Sequence, residues 1–462
     1  MQLPFSLQPL FDFIGRFLSN DPLIGATYAF IIVAALVKIL LILGGLLQVI
    51  PILILLERKM IGWVQDRPGP NRAGPFGILH GFLDGVKLFF KEEILPSGVD
   101  RVLYLMAPGL VVIPAFLALC LIPVGPLIEG NNLAAMGNFL RLDPAMVGPN
   151  GAIKHIALAI SNPNVGILYV LAITSVGVYG ITLAGWSSNN KWSLLGGIRA
   201  SAQMISYEIT LSLAIIGVVL LSGSLNLYSI VDGQRGGFWN WNVVAQPVAF
   251  ILFIVAMFAE TNRLPFDLAE GEAELTGGFH TEYSSMRFAL FFLGEYVNMV
   301  IVGAMCATLF LGGFLGPIQL DWVAIGAATG GYDWVVIIGS FLLGPLVIMP
   351  AKIGFFIFLF FFARATLPRV RYDQLMNIGW KYMLPFGLIN FVITAVAVAL
   401  DMMWTPNGKI ELATKWVLGA VTLSLFLGWD LLYFSPRRKA QMTRDYRHYS
   451  EETSTGRSAL VS

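Results

Sequence analysis

The chain has 462 residues, 56% of them hydrophobic and 12% charged, with a formal net charge of +1. A soluble domain carries about 25% charged residues, so this composition excludes an ordinary soluble enzyme and suits a bilayer. Its two cysteines, Cys120 and Cys306, lie in apolar runs. They exclude a disulfide framework, fall short of the usual iron–sulfur ligand set, and read as small core residues.

In chain order, residues 1–25 lack a basic leader and cleavage pattern and read as a retained amphipathic segment. Apolar runs then predict nine spans, Ala26–Leu56, Val102–Val124, Val165–Ala184, Ala202–Leu221, Val244–Ala259, Phe288–Leu315, Trp334–Ala363, Tyr382–Met402 and Trp416–Phe434. The first is long enough to tilt strongly or kink at Pro51. The fold expected is an all-α integral membrane protein, a polytopic bundle of about nine transmembrane helices plus an amphipathic surface helix. Residues 26–402 form the membrane domain, with an outer insertion at 125–164 and an acidic loop at 260–295. Residues 403–434 carry the ninth span, and 435–462 are a basic tail expected to be disordered, whose Arg437, Arg438 and Lys439 suit lipid headgroups.

Lys and Arg set the orientation. The segments after the odd-numbered spans carry 21 of them, the opposite side six, and Lys38 and Lys352 lie within spans. This bias places the N-terminus outside and the C-terminus in the cytoplasm of a bacterial plasma membrane.

The inner loops hold the chemistry. Glu57–Pro75 contains three prolines and three glycines and reads as a rigid turn rather than a helix, without the ending of a phosphate loop. In Phe76–Glu92, His80, Asp84, Lys87 and Lys91 form one stripe, and Leu79, Phe82, Leu83, Val86 and Phe90 lie opposite. That pattern predicts a helix in the membrane surface, equally readable as an anchor or as one wall of a ligand site.

Between residues 260 and 295 seven acids, Glu260, Asp267, Glu270, Glu272, Glu274, Glu282 and Glu295, face two arginines, Arg263 and Arg287. Glu295 and Glu208 fall inside apolar spans. Carboxylates there cost free energy and point to function; crowded in low dielectric they share protons, as a relay requires. Glu270, Glu272 and Glu274 read equally as a solvated loop face. After span seven, Arg364, Arg369, Arg371 and Asp373 form a short charged loop, a positive-inside anchor whose arginines can also serve carboxylates or a polar headgroup.

Four stretches resemble the NADH dehydrogenase subunit 1 family of respiratory complex I membrane subunits. They are Glu57–Pro75 with its surface helix, Trp186–Glu208, Glu260–Tyr296 and Arg364–Lys381, and the resemblance spans roughly Leu40–Met402. It departs at Gly125–Asn164 and in the ninth span and tail. The resemblance implies a subunit of proton-translocating NADH:quinone oxidoreductase, with no activity expected in isolation. A quinone (ubiquinone or menaquinone) would enter along Arg58, Trp63, Arg67, Phe288, Phe291, Phe292 and Arg364. Glu208, Glu260, Asp267, Glu270, Glu272, Glu274, Glu282 and Glu295 would couple its reduction to proton pumping, with Arg369, Arg371 and Asp373 supporting the loops.

FMN and iron–sulfur clusters would reside in partners: hydrophilic quinone-site and iron–sulfur subunits, small membrane subunits and antiporter-like subunits. No metal, bound cofactor or nucleic acid is expected on this chain. The alternatives are the homologous subunit of a membrane-bound hydrogenase or reduced-deazaflavin dehydrogenase and, more remotely, a free-standing ion-coupled transporter. The missing internal repeat and the one-sided acids argue against the transporter.

Overall fold

The computed structural model describes residues 22–125, 127–129, 155–157, 159–269, 271, 276–317, 347–404 and 412–433. Helices α1 (Pro22–Val64), α2 (His80–Phe90) and α3 (Arg101–Leu119) come first. Two short strands, β1 (Leu127–Glu129) and β2 (His155–Ala157), pair antiparallel, with Leu127 opposite Ala157. Then follow α4 (Gly166–Ser187), α5 (Lys191–Ser222), the short α6 (Leu227–Asp232), α7 (Pro247–Glu260) and α8 (Ser285–Phe310). The last three are α9 (Met349–Thr366), α10 (Tyr372–Trp404, with a π-helical stretch at Ile378–Met383) and α11 (Leu412–Tyr433).

Seven of these helices are long and apolar enough to cross a membrane, and the apolar stretches Pro247–Glu260 and Ala413–Gly428 are shorter. The protein is therefore a multi-pass helical membrane protein, with helices at all nine expected places. α7 is shortened at its outer end by Gln246 and Pro247: proline has no N–H to donate and pushes the residue before it out of helical geometry. Gln246 leaves the helical region (φ −131°, ψ 55°). Its buried side chain accepts from Asn390 Nδ2 at 2.7 Å and donates to Thr394 Oγ1 at 2.6 Å.

The structure corrects two expectations on the inner side. α1 does not stop at Leu56 but continues to Val64, through Pro51. The breakers of the Glu57–Pro75 loop all lie beyond Arg67, apart from Gly62, so nothing ends the helix earlier. The surface helix, expected over Phe76–Glu92, begins only at His80, after a 3₁₀ turn at Pro75–Gly77. Phe76 holds φ 56° and Gly77 φ 78°, outside helical geometry. The exposed faces of Leu79, Phe82, Leu83 and Phe90 agree with a helix laid on a membrane.

Small residues set the helix contacts, as in lipid, where close backbone approach replaces hydrophobic driving force. A Cβ on Gly180 of α4 would meet Val111 Cγ2 of α3 at 2.6 Å, and one on Gly185 would meet the Ser193 carbonyl of α5 at 2.7 Å. α8 is the central helix, burying Val297, Met299, Ile301, Ala304, Cys306, Leu309 and Phe310. Cys306 is thus a core residue, while Cys120 is partly buried and donates to the Phe116 carbonyl. Residues 1–21, most of the 125–164 insertion and the tail from 434 onward lie outside the described residues.

Candidate functional site: a buried charge cluster and a line of carboxylates

Glu57, on the last inner turns of α1, is 2% exposed. A carboxylate there must be met by donors, and three converge on it. Arg263, from the acidic loop, donates through Nη1 to both oxygens at 3.0 and 3.2 Å. Tyr296 of α8 donates its hydroxyl at 2.5 Å. Arg364, at the inner end of α9, also contacts Glu57. Arg263 turns its Nε to Glu295 and stacks its guanidinium 4.5 Å from the Tyr296 ring centre. Two acids, two arginines and a phenol from α1, α8, α9 and the loop thus form one buried cluster, formally neutral and joined through Arg263.

Backbone ties position Arg263. Gln203, fully buried on α5, donates through Nε2 to the Ala259 and Phe266 carbonyls at 2.9 and 2.8 Å. Val370 N–H donates to the Pro265 carbonyl at 3.0 Å, binding the acidic loop to the loop after α9. The two inner loops therefore move as one piece.

From the cluster a line of acids runs along the bundle. Glu295 and Glu260 line one cavity of about 40 Å³ with Phe291, Phe292, His280 and Asn298. Glu260 and Glu208 line a second, also of about 40 Å³, walled by Leu211, Phe253, Ile301 and Met305. Glu260 belongs to both, and its buried Oε2 has no hydrogen-bond partner among the described residues. Glu208 also borders an open groove on the outer face of α5, with Ile205, Ile209, Ser212 and Ile216.

The other predicted residues divide. Asp267 is buried and accepts from Arg369 Nη2 at 3.0 Å. Glu282 accepts from Asn190 Nδ2 at 2.7 Å, and its carbonyl takes the Tyr104 hydroxyl at 2.7 Å. Tyr104 stacks on Tyr283 with centroids 4.1 Å apart; burial pushes the Tyr283 phenol well above its usual range, so it serves as a neutral donor to the Tyr104 carbonyl at 3.3 Å. Glu270, Glu272 and Glu274 lie outside the described residues.

Phe291 packs in the core against Tyr283 and Phe279, and Phe288 lies against Phe292 at 4.7 Å. Arg58 pairs with Asp84 at 2.8 Å. Trp63 is exposed, and Arg67 donates to Gln65 Oε1 at 2.8 Å. Arg371 caps the first turn of α10, its N–H held by Gln374 Oε1 at 3.2 Å. Asp373 is exposed in that turn, where the helix dipole favours an anion. Sequence reasoning singled out neither Glu57, Arg263 nor Tyr296 as site residues.

The family described as NADH dehydrogenase matches residues 37–395. The chain belongs to that family. A membrane-protein relative from Koribacter versatilis, named as an NADH-quinone oxidoreductase subunit, is 44% identical over 374 residues, covering 80% of this chain and 99% of the relative. A Leptospira biflexa relative of the same name is 46% identical, over 78% of this chain and 93% of its own length. "NADH-quinone oxidoreductase subunit 8" of Rhodothermus marinus is 45% identical, over 78% and 96%. In this NADH dehydrogenase family member, the matched residues contain the whole cluster and all three acids of the line, while α11 lies beyond them.

Proposed function

We propose that the chain is the membrane subunit of a proton-translocating NADH:quinone oxidoreductase, in which it bounds the quinone path and carries protons along its carboxylates. The observation that supports this most is the double engagement of Arg263, which holds Glu57 on one side and Glu295 on the other. Arg58 and α2, the proposed channel wall, adjoin Glu57, and Glu295 begins the line to Glu260 and Glu208.

The chemistry follows from charge. Quinone reduction takes up two electrons and two protons, so negative charge arises transiently at the headgroup. Such charge near the cluster competes with Glu57 for Arg364 and Arg263. A guanidinium drawn toward the quinone weakens its hold on Glu295, whose proton affinity then rises in low dielectric. Glu295 takes a proton, and relaxation passes it to Glu260 and Glu208. Each 40 Å³ cavity has room for about two or three waters, enough to bridge carboxylates that are not in direct contact. Phe291, Phe292, Leu211 and Phe253 keep the path otherwise dry. The groove beside Glu208 is where the proton would leave for a neighbouring subunit.

The redox centres would sit in those partners, with the N-terminus of this chain outside and its C-terminus in the cytoplasm. The reading is tested by purifying the assembly through a tag on this chain in mild detergent. Electron flow from NADH to quinone, blocked by quinone-site inhibitors, is expected. A stable preparation driven only by hydrogen or reduced deazaflavin, or one without flavin and iron–sulfur absorbance, would overturn it.

A further inference from the structure

α2 meets α1 at one glycine. A Cβ on Gly81 would lie 2.4 Å from the Pro51 carbonyl oxygen, so only glycine permits this approach. The contact fixes the rotation of α2 and thereby the residues on either side of it. His80 Nε2 lies in hydrogen-bond contact with Arg58 Nη1, and Asp84, one turn further on, takes the same nitrogen at 2.8 Å. The imidazole and Asp84 are themselves 3.7 Å apart. Glu57, the neighbour of Arg58, points into the buried cluster, so it does not compete for Arg58. Lys59 is turned away over the Phe76 ring, 5.9 Å from its centre. The charged groups in contact with His80 among the described residues are therefore Arg58 from α1 and Asp84 from α2.

Arginine can only donate. His80 must accept from it through an Nε2 lone pair, which requires the neutral imidazole with its proton on Nδ1. We infer that His80 is a positioning residue: its neutral ring and Asp84 together hold the Arg58 guanidinium in place on the quinone path, and protonation of the ring releases it. The inference rests on the proposed role of Arg58 at that path.

The sign follows from the geometry. Histidine is the side chain that changes charge between about pH 5 and 8. As pH falls, the ring gains a proton at Nε2, loses the acceptor and repels Arg58. Its new N–H turns toward Asp84 and competes for the carboxylate that was Arg58's second hold. Arg58, its side chain 45% exposed, then becomes free to swing, and quinone affinity falls with pH.

The test uses the assembled complex in membranes, reading NADH:quinone turnover against quinone concentration from about pH 8 to pH 6. It compares wild type with Arg58→Ala, His80→Leu and His80→Gln. Leucine removes the acceptor, whereas glutamine supplies one that does not titrate. His80→Leu should raise KM about tenfold at the upper pH, the scale of one hydrogen bond to a charged group, with a smaller effect on kcat. His80→Gln should restore most of that loss and abolish the rise in KM that wild type shows as pH falls.

A wild-type pH profile in His80→Gln, or an unchanged KM in His80→Leu while Arg58→Ala raises it, would overturn the role of His80 and leave the channel intact. An unchanged KM in Arg58→Ala would remove Arg58 from the path and the inference with it.

Discussion

Glu57 and Asp267 are both buried acids paired with arginine, yet their surroundings assign them different weight. Glu57 is 2% exposed and faces two arginines and a tyrosine. Removing one partner of such a buried pair costs about 3–5 kcal/mol, because the remaining charge stays buried and uncompensated. Glu57→Gln should therefore reduce the amount of assembled complex and lower its melting temperature, and abolish most quinone turnover in what assembles. Asp267 pairs with Arg369, whose side chain is 31% exposed. Solvent screens that pair, and Arg369→Gln should cost about 1 kcal/mol or less. Equal losses in the two variants, measured by thermal denaturation of the purified assembly, would contradict the description of the cluster.

Legibility in the sequence followed the same physics. Glu208 and Glu295 could be found because an acid inside an apolar run is conspicuous. Glu57 ends such a run and merges with the basic residues that follow, and its partner Arg263 is 206 positions away. No local signal joins them. Only the folded bundle does.

At the scale of elements, helices were easier to place than their ends. Apolar runs predicted the helical cores well, but α1 overran its apolar stretch by two turns because Glu57–Val64 contains good helix formers and only one glycine. α2 started late because two positive-φ residues precede it. These ends matter, since Arg58 lies on the overrun of α1 and His80 opens α2. The glycine contact between them gives a direct test. Gly81→Val should push α2 off α1, at about 1–3 kcal/mol for overpacking, and raise the quinone KM by displacing both His80 and Asp84. Normal kinetics in a stable Gly81→Val complex would separate α2 from the quinone path.

α11 docks by a similar device outside the family match: a Cβ on Gly419 would meet the Val244 carbonyl at 2.0 Å. Lys415 adds a hydrogen bond to Asn240 Oδ1 at 2.9 Å. Gly419→Leu should detach α11, seen as faster proteolysis of the C-terminal region, while the carboxylate line, which shares none of these contacts, keeps its function.

At the scale of the whole molecule, the sequence announced a polytopic membrane bundle and a cytoplasmic side rich in Lys and Arg. The helical membrane fold is present. What the sequence could not convey is the continuity of the interior, because the line Glu295, Glu260, Glu208 is drawn by three different helices, α8, α7 and α5. Orientation remains open to labelling: single cysteines placed before α1 and after α11 should react with an impermeant reagent from opposite sides of the membrane, which nine crossings require and eight forbid.

The central claim, that protons pass along this line during quinone reduction, meets its most direct measurement at Glu260, the acid shared by both cavities. Glu260→Gln keeps the shape and hydrogen-bonding capacity of the side chain and removes only its ability to take up and release a proton. The complex carrying it, reconstituted into sealed vesicles, should assemble with its flavin and iron–sulfur absorbance intact. NADH-driven quinone reduction and acidification should both fall by at least about tenfold, as for loss of a proton-transfer group. Wild-type turnover together with wild-type acidification in that variant would contradict the relay.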